Sequence, residues 1–420
     1  MSAAEEIPTA VITFISLLMF LQFGESMSVS SLYSGLLFLP FVMKSFIRTK
    51  VRSAGNFKMN LHIAEVCIFA LLIFLEVCIN LFAAKVWMIF LVLFFISTLC
   101  AWHDLLGRMY YDRMLYPRQQ KVFNQTKILS AQVTIVLTYG VLIMFVGLLE
   151  VIFRMPTEIL TKRLAWGMEC YIIAGAFLVF MLLNFLLLKN PRICNPYRYE
   201  SMLKTVQTEI LVIERIKRKK NAMQVIVSLF FLLLPQALMF FTRVFFLLAK
   251  AEEGGLDCSI PELGFAQGTI GVIAFGFGVM LGRQLLFRFG LHRMFWFLAV
   301  PLTFSPMFYM VMSQNPMVDN MLAICLLCLF AQLFFGFGLN LCIPFVRFIS
   351  GERYRNTIDY LYIPLVAAAM ILPMSISGWL CELLGFKSFF ILDSATAIVA
   401  WVILLIMGVR NKLETNGKEK

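Results

Sequence analysis

The stretch IERIKRKKNAMQVIVSLFFLLLPQALMFF, residues 213–241, joins a run of basic residues (Arg215, Lys217, Arg218, Lys219, Lys220) to an apolar segment that continues to Ala249. A helix that crosses a bilayer needs about 20 predominantly apolar residues. The segment 223–249 meets that length with Arg243 as its one charge. Outward from it, spans 4–23, 29–47, 61–82, 85–106, 128–153 and 164–188 precede the basic run. Spans 263–284, 293–313, 319–346, 357–383 and 388–409 follow 223–249. The longest polar stretch, 189–221, divides six spans from six. The expected architecture is an all-α membrane protein of about twelve transmembrane helices in two six-helix halves, 1–188 and 222–410. Residues 189–221 form a basic cytoplasmic linker and 411–420 a cytoplasmic tail in this reading.

Composition leads to the same class. Hydrophobic residues are 61% of the chain and charged ones 14%, against about 45–50% and about 25% in soluble domains. That excludes a soluble globular protein and leaves no room for a separate soluble domain. The basic residues are also sorted. With the spans numbered in order, 29 of the 36 Lys and Arg fall on or beside one alternating set of loops. Lys85, Arg154, Lys162, Arg163, Lys250 and Lys387 lie on the other set, and Arg243 lies inside a span. Cytoplasmic loops carry the excess of Lys and Arg, so both termini are expected in the cytoplasm. The net charge of +12 would suggest nucleic acid in a soluble protein. Basic loops beside anionic lipid account for it here, so the bilayer is the expected partner and nucleic acid is not. Glu5 and Glu6 stand where a cleavable signal peptide would be basic, so none is expected.

The ten cysteines do not form a disulfide framework, since most lie in or at the edge of apolar spans, where Cys behaves as a small hydrophobe. Cys325-x-x-Cys328 has no second pair and no nearby His, as a zinc site would require. No metal or cofactor is expected. His62, His103 and His292 are the whole histidine complement. No H-E-x-x-H is present, and no nucleophile has a sequence-local base, so an enzyme is not expected.

Two six-span halves about a basic inside loop fit the major facilitator architecture, in which repeats rock around a midplane site. Several segments carry a closer likeness. Ile7-Pro8 through Val11, Leu32-Tyr33 with Leu39-Pro40-Phe41-Val42-Met43-Lys44, and His103-Asp104 followed by Gln119-Gln120 occur in the first half. Gly254-Gly255-Leu256 with Gly264 and Gly268-Thr269-Ile270-Gly271-Val272-Ile273, and Ile376-Ser377-Gly378-Trp379-Leu380 with Leu384-Gly385-Phe386 and Phe389-Phe390, occur in the second. In order and separation, this series resembles the anhydromuropeptide permease (AmpG-type) branch of the major facilitator superfamily, particularly its Bacteroidetes-like members. The resemblance implies a monomeric permease of a bacterial inner membrane. It would move a small solute, an anhydromuropeptide or another sugar-peptide, by alternating access with a coupling proton. The chain departs from that family at Glu5-Glu6, Arg108, Gln236 and Phe241, where the family has Gln-Gly, an acidic residue, Glu and Lys. The alternative reading follows from those changes: a degenerate, non-transporting permease acting as sensor, scaffold or partner subunit.

The candidate substrate-binding residues come from the spans that line the cavity in the resembled fold. An ionisable group in hydrocarbon costs about 2.5–3.5 kcal/mol on insertion scales and tends to face a bundle interior. Arg243 is such a group, and its planar fork of donors suits a carboxylate or phosphate. Gln22, Trp102, Gln236, Gln332 and Asn340 add amides and an aromatic for sugar or peptide recognition. For proton coupling the candidates are His103, Asp104, Glu65 and Glu76. His103 and Asp104 are adjacent at the inside end of the fourth span, where the alternative is a helix-end network touching Arg108 or Arg113. Glu65 and Glu76, eleven residues apart, fall on nearly one helical face with roughly 16 Å of rise between them, the spacing of a stepwise path.

Overall fold

The computed structural model describes residues 2–44, 57–80, 85–115, 119, 127, 129–188, 221–314, 320–350 and 358–415. The basic linker 189–220 lies outside the described residues. Among them every regular element is a helix. In chain order these are α1 (2–22), α2 (27–42), α3 (Phe57–Asn80), α4 (Val86–Met114), α5 (129–152) and α6 (Glu158–Leu187). They are followed by α7 (Ala222–Leu248), α8 (260–289), α9 (291–314), α10 (321–350, with a turn at 340–341), α11 (358–384), α12 (386–406) and a short tail helix α13 (Val409–Thr415).

Twelve of these have the composition of membrane spans. Eight helical stretches are long and apolar enough to cross a bilayer. Two of the eight, Ile260–Gln314 and Pro364–Ile406, are each broken by a glycine. At Gly290 φ is 76° and ψ 167°, and at Gly385 φ is 71° and ψ 160°. That region is open essentially to glycine alone, so each glycine turns one apolar run into a hairpin, α8–α9 and α11–α12. Two shorter apolar helices, Glu6–Gln22 and Met27–Val42, complete the twelve. The breaks fall where the sequence spans left gaps at 285–292 and 384–387. The helices run past the spans into polar ground: α4 continues through Arg108 to Met114, and α6 begins at Glu158 under a Thr157 N-cap.

The chain divides into two compact units. One comprises Met1–Glu25 with Leu36–Thr208, the other Ser26–Gly35 with Glu209–Lys420. In the first, α3 packs between α4 and α6, and Phe20, Trp166 and Phe177 are fully buried. In the second, α8 lies on α10 and α7 on the α11–α12 hairpin. Phe246, Tyr309, Phe386 and Phe390 form an aromatic cluster there. Tyr309 stacks on Phe390 at 5.6 Å between ring centroids, and Phe246 meets Phe390 edge-on at 5.2 Å, the offset and T-shaped geometries that ring quadrupoles favour. The start of α2 belongs to this unit through small residues. The Ser31 hydroxyl donates to the Ser375 carbonyl at 3.1 Å, and the Gly378 N–H donates to Ser31 Oγ at 3.2 Å. Between α8 and α10 the backbones approach so closely that a Cβ on Gly336 would meet the Phe275 carbonyl, the close approach that small residues allow.

The outward faces are apolar, with Phe287, Ile406 and Leu186 at 94, 79 and 75% exposure. In water so much contiguous apolar surface would drive association; in a bilayer it is the solvated surface.

Candidate functional site

Helix α7 is the most interior span of the second unit: 67% of its apolar window is buried, against 28% for α6 in the first. Arg243 lies on it with 3% exposure. Its guanidinium stands 4.8 Å from the Phe240 ring centroid, within cation–π range, and its Nε has no hydrogen-bond partner among the described residues. Gln236, seven residues earlier, shares its face, since seven residues fall about 20° short of two turns with about 10 Å of rise. Gln236 Nε2 donates to the Leu302 carbonyl at 2.7 Å, while its Oε1 is buried without a partner among the described residues. Gln332 on α10 is 6% exposed. It lies across Gly271 from Gln267, whose Oε1 is likewise buried and unpartnered among the described residues. Asn340 has a different role. Its Nδ2 donates to the carbonyls of Val279, Gly336 and Phe337 at 3.1, 3.3 and 3.2 Å, tying the turn of α10 to α8.

Sequence inspection missed Gln267. Its signal is an amide within the π-helical turn Gly264–Gly271. Such turns leave the regular hydrogen-bond ladder and recur at functional sites. Similar turns occur at Val11–Ile15 in α1 and Val136–Leu142 in α5, where Phe14 stacks on Tyr139 at 4.3 Å.

In the first unit the proton-coupling candidates are regrouped. Glu65 on α3 is fully buried. Its Oε2 lies 2.9 Å from His62 Nδ1, and its Oε1 lies 3.3 Å from His103 Nε2 on α4. Oε1 also accepts from Asn184 Nδ2 on α6 at 2.6 Å. Glu76 does not join this group. It sits near the other end of α3, where Asn80 Nδ2 donates to it at 3.2 Å and Tyr171 of α6 is within electrostatic range. The two carboxylates thus have separate partners, in place of a stepwise path along one face.

Asp104 is 6% exposed and belongs to a third group. Lys44 pairs with it from the end of α2, Arg108 Nε donates to it at 3.0 Å, and Lys127 Nζ lies 3.5 Å away. Lys44 also lies 5.0 Å from the Phe41 ring centroid, and Glu6 on α1 is within electrostatic range of all three cations. Burial lowers the Lys127 ammonium from its ordinary range, with Asp104 opposing that shift. Of the partners expected for a helix-end network, Arg108 is in place. The side chain of Arg113 lies outside the described residues.

The remaining candidates stand apart. Gln22 Oε1 accepts from Trp166 Nε1. Trp102 is 40% exposed.

No protein-family model matches the chain, and no curated protein matches it. Solved structures do. The nucleoside transporter NupG superposes with a TM-score of 0.69 at 15% identity, covering 100% of this chain and 98% of that one. A D-xylose-proton symporter gives 0.67 at 13% identity, with 96% and 94% covered. A structure from the proton dependent oligopeptide transporters gives 0.71 at 11% identity, with 98% and 97% covered. At such identities the likeness is one of fold. The chain has the major facilitator-like fold.

Proposed function

We propose that this chain is a secondary transporter that carries a small solute bearing an anionic group across a membrane by alternating access. Solved proteins of the same fold are named as transporters of nucleosides, xylose and oligopeptides. The segments quoted from Ile7 to Phe390 resemble anhydromuropeptide permeases. The solute class proposed is therefore an anhydromuropeptide or related sugar-peptide, moved across a bacterial inner membrane by a monomer whose termini both face the cytoplasm.

One observation carries the reading. Arg243 is buried on the most interior span of its unit, and no acid pairs with it among the described residues. A buried cation that lacks a partner is strongly unfavourable, so a fixed structural Arg would be expected to hold an acid. A guanidinium kept open is suited to an exchangeable carboxylate, which it grips through two parallel hydrogen bonds. Gln236, Gln267 and Gln332 supply amide groups for hydroxyls and peptide bonds in the same unit.

The test is uptake of labelled GlcNAc-anhydromuramyl peptide into proteoliposomes, with and without an imposed pH gradient. Saturable, gradient-driven uptake is expected. Arg243→Ala should lower it about ten- to a hundredfold, the loss of a charged hydrogen bond of about 1.5–3 kcal/mol. Arg243→Lys should recover only part, since an ammonium lacks the fork. Full uptake by stably inserted Arg243→Ala would remove the anion-binding role. No uptake by folded wild-type protein would favour the non-transporting reading.

A further inference from the structure

Two of the chain's three histidines converge on one fully buried carboxylate. We propose that His62, Glu65 and His103, braced by Asn184, form a proton-binding site within the first unit. Its place in energy coupling rests on the transporter reading above; its existence as a titrating site does not.

The geometry is that of a shared carboxylate. Each oxygen of Glu65 has an imidazole nitrogen beside it, at 2.9 Å from His62 and 3.3 Å from His103, while Asn184 holds the carboxylate in place from α6. Three helices therefore meet at one acid. With both imidazoles neutral and the carboxylate ionised, the group carries one negative charge. One added proton makes it neutral wherever among the three side chains that proton resides. Among the described residues no Lys or Arg is paired with Glu65, so a proton is the cation that can neutralise it. Asn184 has no titrating state and donates throughout.

Several other groups face the site. From α4 there is Tyr111, whose phenol is within electrostatic range of Glu65. Asp104, next to His103, turns to its own cations Lys44, Arg108 and Lys127. From α6, Asn184 is joined by the Phe185 ring, which meets the His62 imidazole edge-on at 5.4 Å. On α3, Lys58 precedes His62 by one turn.

The second nitrogen of His62 is also buried. His62 Nε2, the nitrogen turned away from Glu65, has no partner among the described residues. His62 lines a groove of about 480 Å³ together with Lys58, Met59, Ile63, Val66, Cys67 and Phe185. A proton held on Nε2 would make both His62 nitrogens N–H donors, with Nδ1–H directed at Glu65. Imidazole is the side chain whose ordinary titration range spans neutral pH, and sites this close titrate as a unit in shared macroscopic steps.

The experiment is NMR of the full-length protein in nanodiscs, with 15N- and 13C-labelled histidine, titrated from acid to alkaline pH. Only three imidazoles contribute signals. The proposal expects His62 and His103 to titrate in shared, two-step curves. His103→Gln should move the His62 midpoint by about one pH unit or more, the threshold of strong site coupling, and Glu65→Gln should collapse the coupling. Independent single-step curves for His62 and His103 in wild type overturn it, as does a His62 curve unmoved by His103→Gln. The wild-type curves decide the matter even where Glu65→Gln fails to fold. Uptake against pH then reads the coupling role separately. If wild type shows coupled titration and Glu65→Gln keeps an unaltered pH profile of uptake, the coupling role falls. Absence of uptake altogether counts against the transporter reading alone, because the imidazole signals do not depend on any solute.

Discussion

At the scale of single residues, helical periodicity shows which face a side chain occupies but not which helix packs on that face. Glu65 and Glu76 share a face of α3, yet α4 and α6 offer His103 and Asn184 to the first, while the second is met by Asn80 of α3 itself. His103 and Asp104 are adjacent in sequence but about 100° apart on the helix. One therefore reaches Glu65, while the other reaches Lys44, Arg108 and Lys127. Asp104 is in consequence predicted to be structural. Removing one partner of a buried ion pair costs about 3–5 kcal/mol because the other charge is left behind. Asp104→Asn should therefore lower the unfolding temperature in detergent clearly while leaving the pH profile of uptake in place. An unchanged unfolding temperature with a lost pH dependence would return Asp104 to a coupling role. Arg243 was legible in the sequence as the one basic residue deep in a span. That it lacks an acid among the described residues was not legible, because acids on other spans were available to it in principle.

At the scale of elements, the glycines separate into hinges and contacts. Gly290 and Gly385 adopt backbone angles that other residues reach only with strain, and they end helices in apolar runs that hydropathy alone leaves nearly continuous. Gly278 and Gly336 are helical, and their missing side chains let α8 and α10 touch through backbone. A Cβ at either would meet a carbonyl of the facing helix, at Leu333 and Phe275 respectively. Over-packing of this kind costs about 1–3 kcal/mol, and backbone cannot move aside as a side chain can. Gly336→Val is predicted to reduce the yield of monodisperse protein and to lower its unfolding temperature, with Gly175→Val, which meets open space, as the control. Equal stability of the two variants would show that α8 and α10 separate without penalty. Only the packing distinguishes the glycines that bend from the ones that touch.

At the scale of the whole molecule, the bias of Lys and Arg predicts both termini on the cytoplasmic side. Reporters fused after Lys420 and before Met1 should both give the cytoplasmic signal, and one in the acidic loop 251–259 the opposite. A reporter at either end that reads outside would reverse or break the arrangement. The number of spans, their order and the basic run between the sixth and seventh could be read from sequence. They follow from a one-dimensional constraint: hydrocarbon admits only apolar lengths of about 20 residues, and the charge of each loop acts where that loop lies. The sequence by itself therefore determined the class, the span order and the residues whose burial would be costly. Only the tertiary structure decided which of those residues meet. Contacts such as Glu65–His103 and Glu65–Asn184 join helices far apart in the chain. In a bilayer, where every helix is apolar all round, hydrophobicity does not choose among neighbours; close packing and the need to satisfy each buried polar group do.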